Sequence, residues 1–349
     1  MNSPLRLAIV GCGRAATELH LPAIRAVPDI AVVALLDADE ERTRAASRQA
    51  AKARLMSDLG ELLSDPSVDA VAVCTPPAQH AAHAIAVLDA GKHLFVEKPL
   101  ALSVGDCDQI VAHASRSTRR KILGFNLRQH RLLRAARELL AAGGIGRVEI
   151  ARSTFTTDIR LTRQLPRWRD KRTTGGGVLF ELATHHFDLW RWLFRDEVAE
   201  VSALTRSADL EDTAASVSGR LASGALLTVQ LSEQTTPMQQ IEVFGDRGRL
   251  RISLYDFDGL EVVPLTTLPG SVRGRVDAIL RTVRSLPAGL RGLTSGGDYM
   301  ATYEQQWRAC ADTILRGQPA AATLEDGRAA ARIAVAASES ATSGQAVQL

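Results

Sequence analysis

Cysteine is scarce in this sequence: four in 349 residues (Cys12, Cys74, Cys107 and Cys310), far apart and with no C-x-x-C pair. That spacing excludes a disulfide framework and a thiolate zinc site, no other convincing metal-ligand set is found, and the pattern suits the reduced thiols of a cytosolic protein. An excess of one charge is lacking too. Lys plus Arg number 42 and Asp plus Glu 39, a net charge of +3, too small to point to nucleic acid as a partner. No apolar run reaches the roughly 18 residues that a membrane span requires. The opening MNSPLRLAIVGCG has no charged region ahead of a long apolar one, so no secretory signal is expected. Internal repeats and long low-complexity tracts are missing as well. What remains is ordinary globular composition, 46% hydrophobic and 23% charged, in a chain long enough for two domains. A cytoplasmic location is expected, with neither nucleic acid nor membrane as partner.

LRLAIV (5–10) suits a strand buried on both faces. GCGRAA (11–16) follows at once, then a helical stretch to about Arg25, then IAVVALLD (30–37), a second strand ending in an acid. Strand, glycine turn, helix, strand and acid is the setting a dinucleotide fingerprint requires. Gly11 allows the tight turn, Gly13 lets the backbone approach a pyrophosphate, and Ala16 is small enough for helix–strand packing. Arg14 and Ala15 open the helix, whose free N–H groups and positive dipole end favour phosphate. Asp37 is placed to bind an adenosine ribose and repels a 2′-phosphate, which favours NAD; the nearby Arg42 leaves NADP open.

The alternation continues through VDAVAVCTPP (68–77), AQHAAHAIAVLDAGK, HLFVEKPLA (93–101), GDCDQIVAHASRS and KILGFNLR (121–128). Strands alternating with helices of this length imply a doubly wound parallel sheet, whose ligands sit beyond the carboxyl ends of the strands. Thr75, Pro76, Glu97, Lys98 and Asn126 fall at such ends, and His80 just beyond, so they join the expected cofactor-binding set. A lysine there is partly desolvated and can exchange protons.

Beyond residue 130 the pattern changes. HRLLRAARELLAAGGIG (130–146) reads as a helix closed by glycines; RVEIARSTFTT, EVSALTRS, TAASVSGRLA, ALLTVQLSE, QQIEVFG and GRLRISLYD read as strands. Several alternate apolar and polar residues, as antiparallel strands with one covered face do. Turns are expected at SG (223–224) and DRG (246–248). Residues 268–297 carry Arg273, Arg275, Arg281, Arg284 and Arg291 against the single acid Asp277. They read as an amphipathic surface or interface helix, as a lid whose guanidinium groups meet a phosphate or carboxylate on the substrate, or as a membrane-surface helix.

GGGVLFELATHHFDLW (175–190) places three glycines before two adjacent histidines. On one helix from about 178 to 194, His186 falls on the apolar side with Leu182, Leu189 and Leu193. Glu181, His185 and Asp188 share a stripe about 40° either side of Glu181. His186 is therefore expected to be packed. His185 is either part of an ordinary ion-pair stripe or, with carboxylates one turn away, a proton-transfer group.

These segments resemble the family of glucose-fructose oxidoreductase, inositol dehydrogenase and the rhizopine-catabolism protein MocA. The likeness runs nearly the whole length and rests on GCGRAA, DADEER, CTPPAQH, LDAGKHLFVEKPLA, GFNLR, Trp168-Arg-Asp followed by GGGVL, THHFDL, VFGDRGRLRI and LEDGRAAARIAVAASESATSGQAVQL. It implies an α/β protein: a Rossmann domain, placed at 1–124, and a C-terminal α/β domain with a large, mostly antiparallel sheet, placed at 125–349. It implies an NAD(P)-dependent dehydrogenase or reductase acting on a sugar, cyclitol or related polyol, and a homodimer or homotetramer formed through that sheet. By the same resemblance Lys98, His185 and Glu181 are catalytic, Glu181 orienting His185 or a neighbouring hydroxyl. Glu181 stands where the family has aspartate, a departure that moves the carboxylate by about an ångström or more. Arg128, Trp168, Glu181 and His185 are the expected substrate contacts. The main expectation is hydride transfer from a carbinol carbon to nicotinamide, with His185 taking the hydroxyl proton and Lys98 hydrogen-bonding the same oxygen. The alternatives are an NAD-dependent glycosidase using transient oxidation and a non-catalytic NAD-binding sensor.

Overall fold

The computed structural model describes residues 3–161, 166–255, 259–265, 271–277, 279–280, 283 and 298–349. Most of the Arg-rich segment 268–297, and with it the lid reading, lies outside the described residues. Within it, residues 272–277 are helical, and Val272, Val276, Ile279, Leu280 and Val283 are exposed.

Two compact units share the chain. The first comprises Met1–Gln129, Thr173–Gly175 and Met300–Arg332; the second comprises His130–Arg172, Gly176–Tyr299 and Ile333–Leu349. The first stretch of unit one ends at Gln129, and the C-terminal tail is divided between the units. The reason is packing: Trp307 is fully buried against Phe95 with ring centroids 4.5 Å apart, and Leu123 N–H donates to Ala322 O.

In the first unit, β1 (Leu5–Val10), β2 (Ile30–Leu36), β3 (Arg54–Met56), β4 (Ala70–Val73), β5 (His93–Val96) and β6 (Lys121–Leu123) form one parallel sheet in the order β3-β2-β1-β4-β5-β6. The central strands are short apolar runs because both faces are covered: every residue of AVAV in β4 is buried. The order reverses between β1 and β4, the switch point beyond whose carboxyl strand ends sheets of this kind take their ligands.

The fingerprint helix is not regular. Ala15–His20 forms a π-helical turn, and α-helical geometry resumes only at Leu21–Arg25. Pro22 explains this. It has no N–H to donate and its ring crowds the carbonyl four residues back, so the turn before it widens.

The second unit carries β7 (Val148–Asp158), β8 (Val198–Arg206), β9 (Ala214–Leu221), β10 (Leu226–Ser232), β11 (Gln234–Gly245), β12 (Gly248–Ser253), β13 (Gly259–Pro264) and β14 (Val347–Gln348). The order is β13-β12-β11-β7-β10-β9-β8-β14, antiparallel except for β7 beside β10. Alternation holds along the strands. Ala151, Ser153 and Phe155 of β7 and Leu227, Val229 and Leu231 of β10 are buried, with the residues between them more exposed. Burying each such Val, Leu or Phe contributes about 1.5–3 kcal/mol. The turns come at Gly224 (φ +97°) and at Asp246-Arg247, as the sequence suggests. β13 and the terminal β14 escaped the sequence reading.

Candidate active site

In the first unit the loops after β1, β4, β5 and β6 leave one edge of the sheet. Gly11 has φ +95°, and a Cβ there would lie 2.6 Å from the backbone of Cys74 and Thr75. Only glycine permits that approach. A Cβ on Gly13 would meet nothing within 4 Å, so the space above it is open. One oxygen of Asp37 accepts the Cys12 N–H at 2.7 Å and the other the Asp39 N–H at 2.9 Å. The carboxylate is thereby fixed beside the glycine loop with lone pairs left for a ribose hydroxyl. Close backbone, open space and an aimed acid fit a dinucleotide. Ala15 is half-buried at the start of the helical run. Arg14 and Arg42 are exposed and paired with Glu18 (2.5 Å) and Asp39 (3.3 Å), next to them on the surface. Burial, with Asp37 beside it, pushes the Cys12 thiol up to about 12, so it is inert.

Thr75 and Pro76 are half-buried, and Thr75 Oγ1 lies 3.1 Å from His83 Nδ1. His80 lies deeper than expected. It is 1% exposed, with Nε2 2.8 Å from Thr75 O and Nδ1 2.7 Å from Pro99 O. Burial holds its pKa below the ordinary value. Its ring ties the loop after β4 to the loop after β5 and cannot itself face a cofactor. Asn126 is also buried and donates to Thr302 Oγ1 at 2.8 Å. Arg128, expected at the substrate, is 7% exposed and donates to Asp326 and to Ala321 O, each at 2.9 Å. That expectation gives way to an anchoring role, because a guanidinium so buried is held by the carboxylate that compensates it.

Lys98 is half-buried just beyond β5, and its peptide bond to Pro99 is cis. Its N–H donates to Glu97 Oε2 at 3.0 Å. A Cβ on Gly124 would come within 2.6 Å of Glu97 Oε1, so the missing side chain makes room for the carboxylate. Beneath it lies His20, passed over by the sequence reading: fully buried, with Nε2 3.1 Å from Glu97 Oε1. A histidine followed two residues on by a proline inside the fingerprint helix was the only signal available.

In the second unit the expected helix of 178–194 is two helices. Val178–Glu181 ends at Leu182, and Ala183–Phe194 begins anew. The polar stripe is no solvated face either: Thr184, His185 and Asp188 are all buried. His185 packs near the Phe155 ring, centroids 6.3 Å apart. His186 is 1% exposed, and burial alone pulls its pKa down to about 3, as a packed neutral ring requires.

Glu181 is met by a residue the sequence reading did not single out. Arg169 Nη2 lies 3.5 Å from Glu181 Oε1 and 2.6 Å from Glu233 Oε1, and the Glu233 side chain is 2% exposed. Burial opposes the Arg169 charge, but the two carboxylates overcome that and raise its pKa. The guanidinium also lies 5.7 Å from the centre of the half-buried Trp168 ring. The glycines explain how Arg169 comes so close: a Cβ on Gly176 would lie 2.1 Å from Arg169 O. Gly177 (φ +80°) precedes Val178, whose N–H donates to Asp212 O, and Arg172 clamps the Asp212 carboxylate at 2.6 and 2.9 Å.

Residues 5–125 match the family model described as "Oxidoreductase family, NAD-binding Rossmann fold", and residues 133–251 match the GFO/IDH/MocA C-terminal domain. The chain belongs to the GFO/IDH/MocA family. It is 29% identical to the myo-inositol 2-dehydrogenase of Thermotoga maritima over 99% of this chain and 98% of that one. Over 59% of this chain and 61% of the relative it is 34% identical to the 1,5-anhydro-D-fructose reductase of Ensifer adhaerens. Among solved structures, GenD2 from gentamicin A biosynthesis, in complex with NAD, aligns with a TM-score of 0.81 and 26% identity over 100% of this chain and 97% of that one. This GFO/IDH/MocA member is therefore an NAD-binding oxidoreductase, and the glycine loop with Asp37 belongs to its Rossmann domain. Among the described residues no helix is long and apolar enough to cross a membrane.

Proposed function

We propose that this protein reversibly oxidises a secondary hydroxyl of a sugar, cyclitol or related polyol, with NAD as the preferred cofactor. The observation that carries the reading is the full-length likeness to a myo-inositol 2-dehydrogenase. Gly11, Gly13, Asp37, Thr75 and Pro76 hold the dinucleotide, and the Asp37 carboxylate disfavours a 2′-phosphate. Bound NAD supplies the hydride acceptor.

The rest falls to this chain's own groups. Lys98 hydrogen-bonds the reacting oxygen and stabilises alkoxide charge as it develops. His185 takes the hydroxyl proton and returns it in the reverse direction. Glu181 orients His185 or a neighbouring substrate hydroxyl. Its extra methylene is supported by Arg169, which is itself anchored on the buried Glu233. Trp168 offers an indole face for a sugar ring to stack on. We place the enzyme in the cytoplasm, where its free, buried cysteines stay reduced. We assign self-association, as a homodimer or homotetramer, to the outer face of the eight-stranded sheet, where Ile150, Leu204 and Leu226 are exposed.

The test is NADH formation against a panel of inositols, aldoses and sugar acids, repeated with Lys98→Ala and His185→Gln. Each substitution is expected to lower kcat about 10²–10⁴-fold, the size of a lost proton-transfer or oxyanion contact. Unimpaired turnover by both variants sinks the assignment. Aryl-glycoside cleavage without net NADH points instead to a transient-oxidation glycosidase.

A further inference from the structure

His20 occupies a site built around it. Its ring is fully buried and meets Phe95, Tyr303 and Trp307 edge-on, with centroids 5.6, 5.5 and 5.7 Å away. Trp307 Nε1–H donates to His20 Nδ1 at 3.2 Å. An indole N–H only donates, so Nδ1 is an acceptor and the proton of the neutral ring sits on Nε2. That nitrogen lies 3.1 Å from Glu97 Oε1. The pair is a close contact short of a hydrogen bond, and neither atom has a hydrogen-bond partner among the described residues. The second oxygen of Glu97 accepts the N–H of Lys98. A chain of contacts thus runs from the indole of Trp307 through His20 and Glu97 to the backbone of Lys98.

We infer that His20 is a positioning residue: held in its Nε2–H form by Trp307, it fixes the Glu97 carboxylate, which in turn fixes the Lys98 backbone from which the reactive ammonium projects. The inference rests on the proposed role of Lys98, but its geometry can be tested without turnover. Buried polar chains of this kind orient the group at their end because each donor leaves its neighbour one arrangement.

The experiment is amide hydrogen exchange on the full-length protein, read residue by residue by NMR, with ¹⁵N-histidine spectra of the same samples. In the wild type the His20 ring is expected to show its proton on Nε2. His20→Phe keeps the ring volume and removes the donor. It is expected to speed exchange at the Lys98 amide at least tenfold, while the β5 amides of Leu94 and Phe95 keep their protection. His20→Gln places an amide N–H near the position of Nε2 and is expected to restore most of the Lys98 protection. Trp307→Phe serves if His20→Phe fails to fold: it retains an aromatic ring but frees Nδ1, and a mixture of ring tautomers should follow. Unchanged Lys98 exchange in folded His20→Phe, equal loss in His20→Phe and His20→Gln, or a wild-type proton on Nδ1 would each overturn the inference. Turnover by Lys98→Ala judges the role of Lys98 separately, so the two failures are distinguishable.

Discussion

The two regions that carry the proposed chemistry are built on different principles. Around Lys98, placement comes from backbone: strand ends in a parallel sheet, glycines that allow close approach, and an N–H held by the adjacent Glu97. Around His185, placement comes from side chains of separate segments: Arg169, Glu181 and Glu233 join three stretches of chain through charge. The first kind depends on the absence of atoms, the second on the presence of partners. Backbone sites should therefore fail when a methyl group is added, and side-chain sites when one charge is removed.

The largest expected effect is on the glycines. Gly176→Ala drives a Cβ into the Arg169 carbonyl at 2.1 Å, and Gly11→Ala combines a 2.6 Å contact with φ +95°. Each is expected to destabilise its unit by more than about 4 kcal/mol in chemical denaturation. Gly13→Ala, whose Cβ meets nothing, should leave stability within about 0.5 kcal/mol yet weaken NAD binding about tenfold or more by calorimetry. If Gly11→Ala were as stable as Gly13→Ala, backbone closeness would not be what places the first region.

Next comes Glu233→Gln, which leaves the Arg169 guanidinium buried with Glu181 as its remaining charge partner, 3.5 Å away. A loss of about 3 kcal/mol is expected, at the low end for breaking a buried pair because Glu181 compensates in part. Denaturant melts would show it, and a loss under about 1 kcal/mol would mean the pair is no anchor.

The smallest effect concerns acid. His186 has a folded pKa of about 3 against an ordinary 6.5, so above pH 6.5 its contribution to stability is complete. As pH falls from 6.5 to 4.5, the unfolded chain binds a proton that the folded one refuses. Stability then drops by about 1.4 kcal/mol per pH unit from this group. His130, held near 4 by burial, acts in the same direction. His186→Phe should make the pH dependence of urea unfolding between pH 6.5 and 4.5 shallower by one proton. An unchanged slope would show that His186 is not the buried neutral ring described.

How much was legible follows from the same contrast. β1, the Gly11–Gly13 turn and the positions of Asp37 and Lys98 just beyond strand ends were readable because a buried parallel strand and the turn after it are local patterns. His80, Asn126 and Arg128 were misplaced because proximity to a motif is local, whereas the direction of a side chain is not. His80 turns to the carbonyls of Thr75 and Pro99, and Arg128 to Asp326, 198 residues on. The helix of 178–194 was read as continuous because periodicity does not register a single turn at Leu182.

The sequence alone determined the class of fold, the dinucleotide loop and the residue types available for proton transfer, because periodicity, glycine placement and strand-end position are properties of short stretches. Only the tertiary structure decided which of those residues are tied down and by what. It set Arg169 and Glu233 against Glu181, and Trp307 and His20 beneath Glu97. Those partners lie from about ten to nearly three hundred residues apart in the chain, and burial makes their pairing obligatory: a polar group taken out of water must find its complement wherever folding brings one.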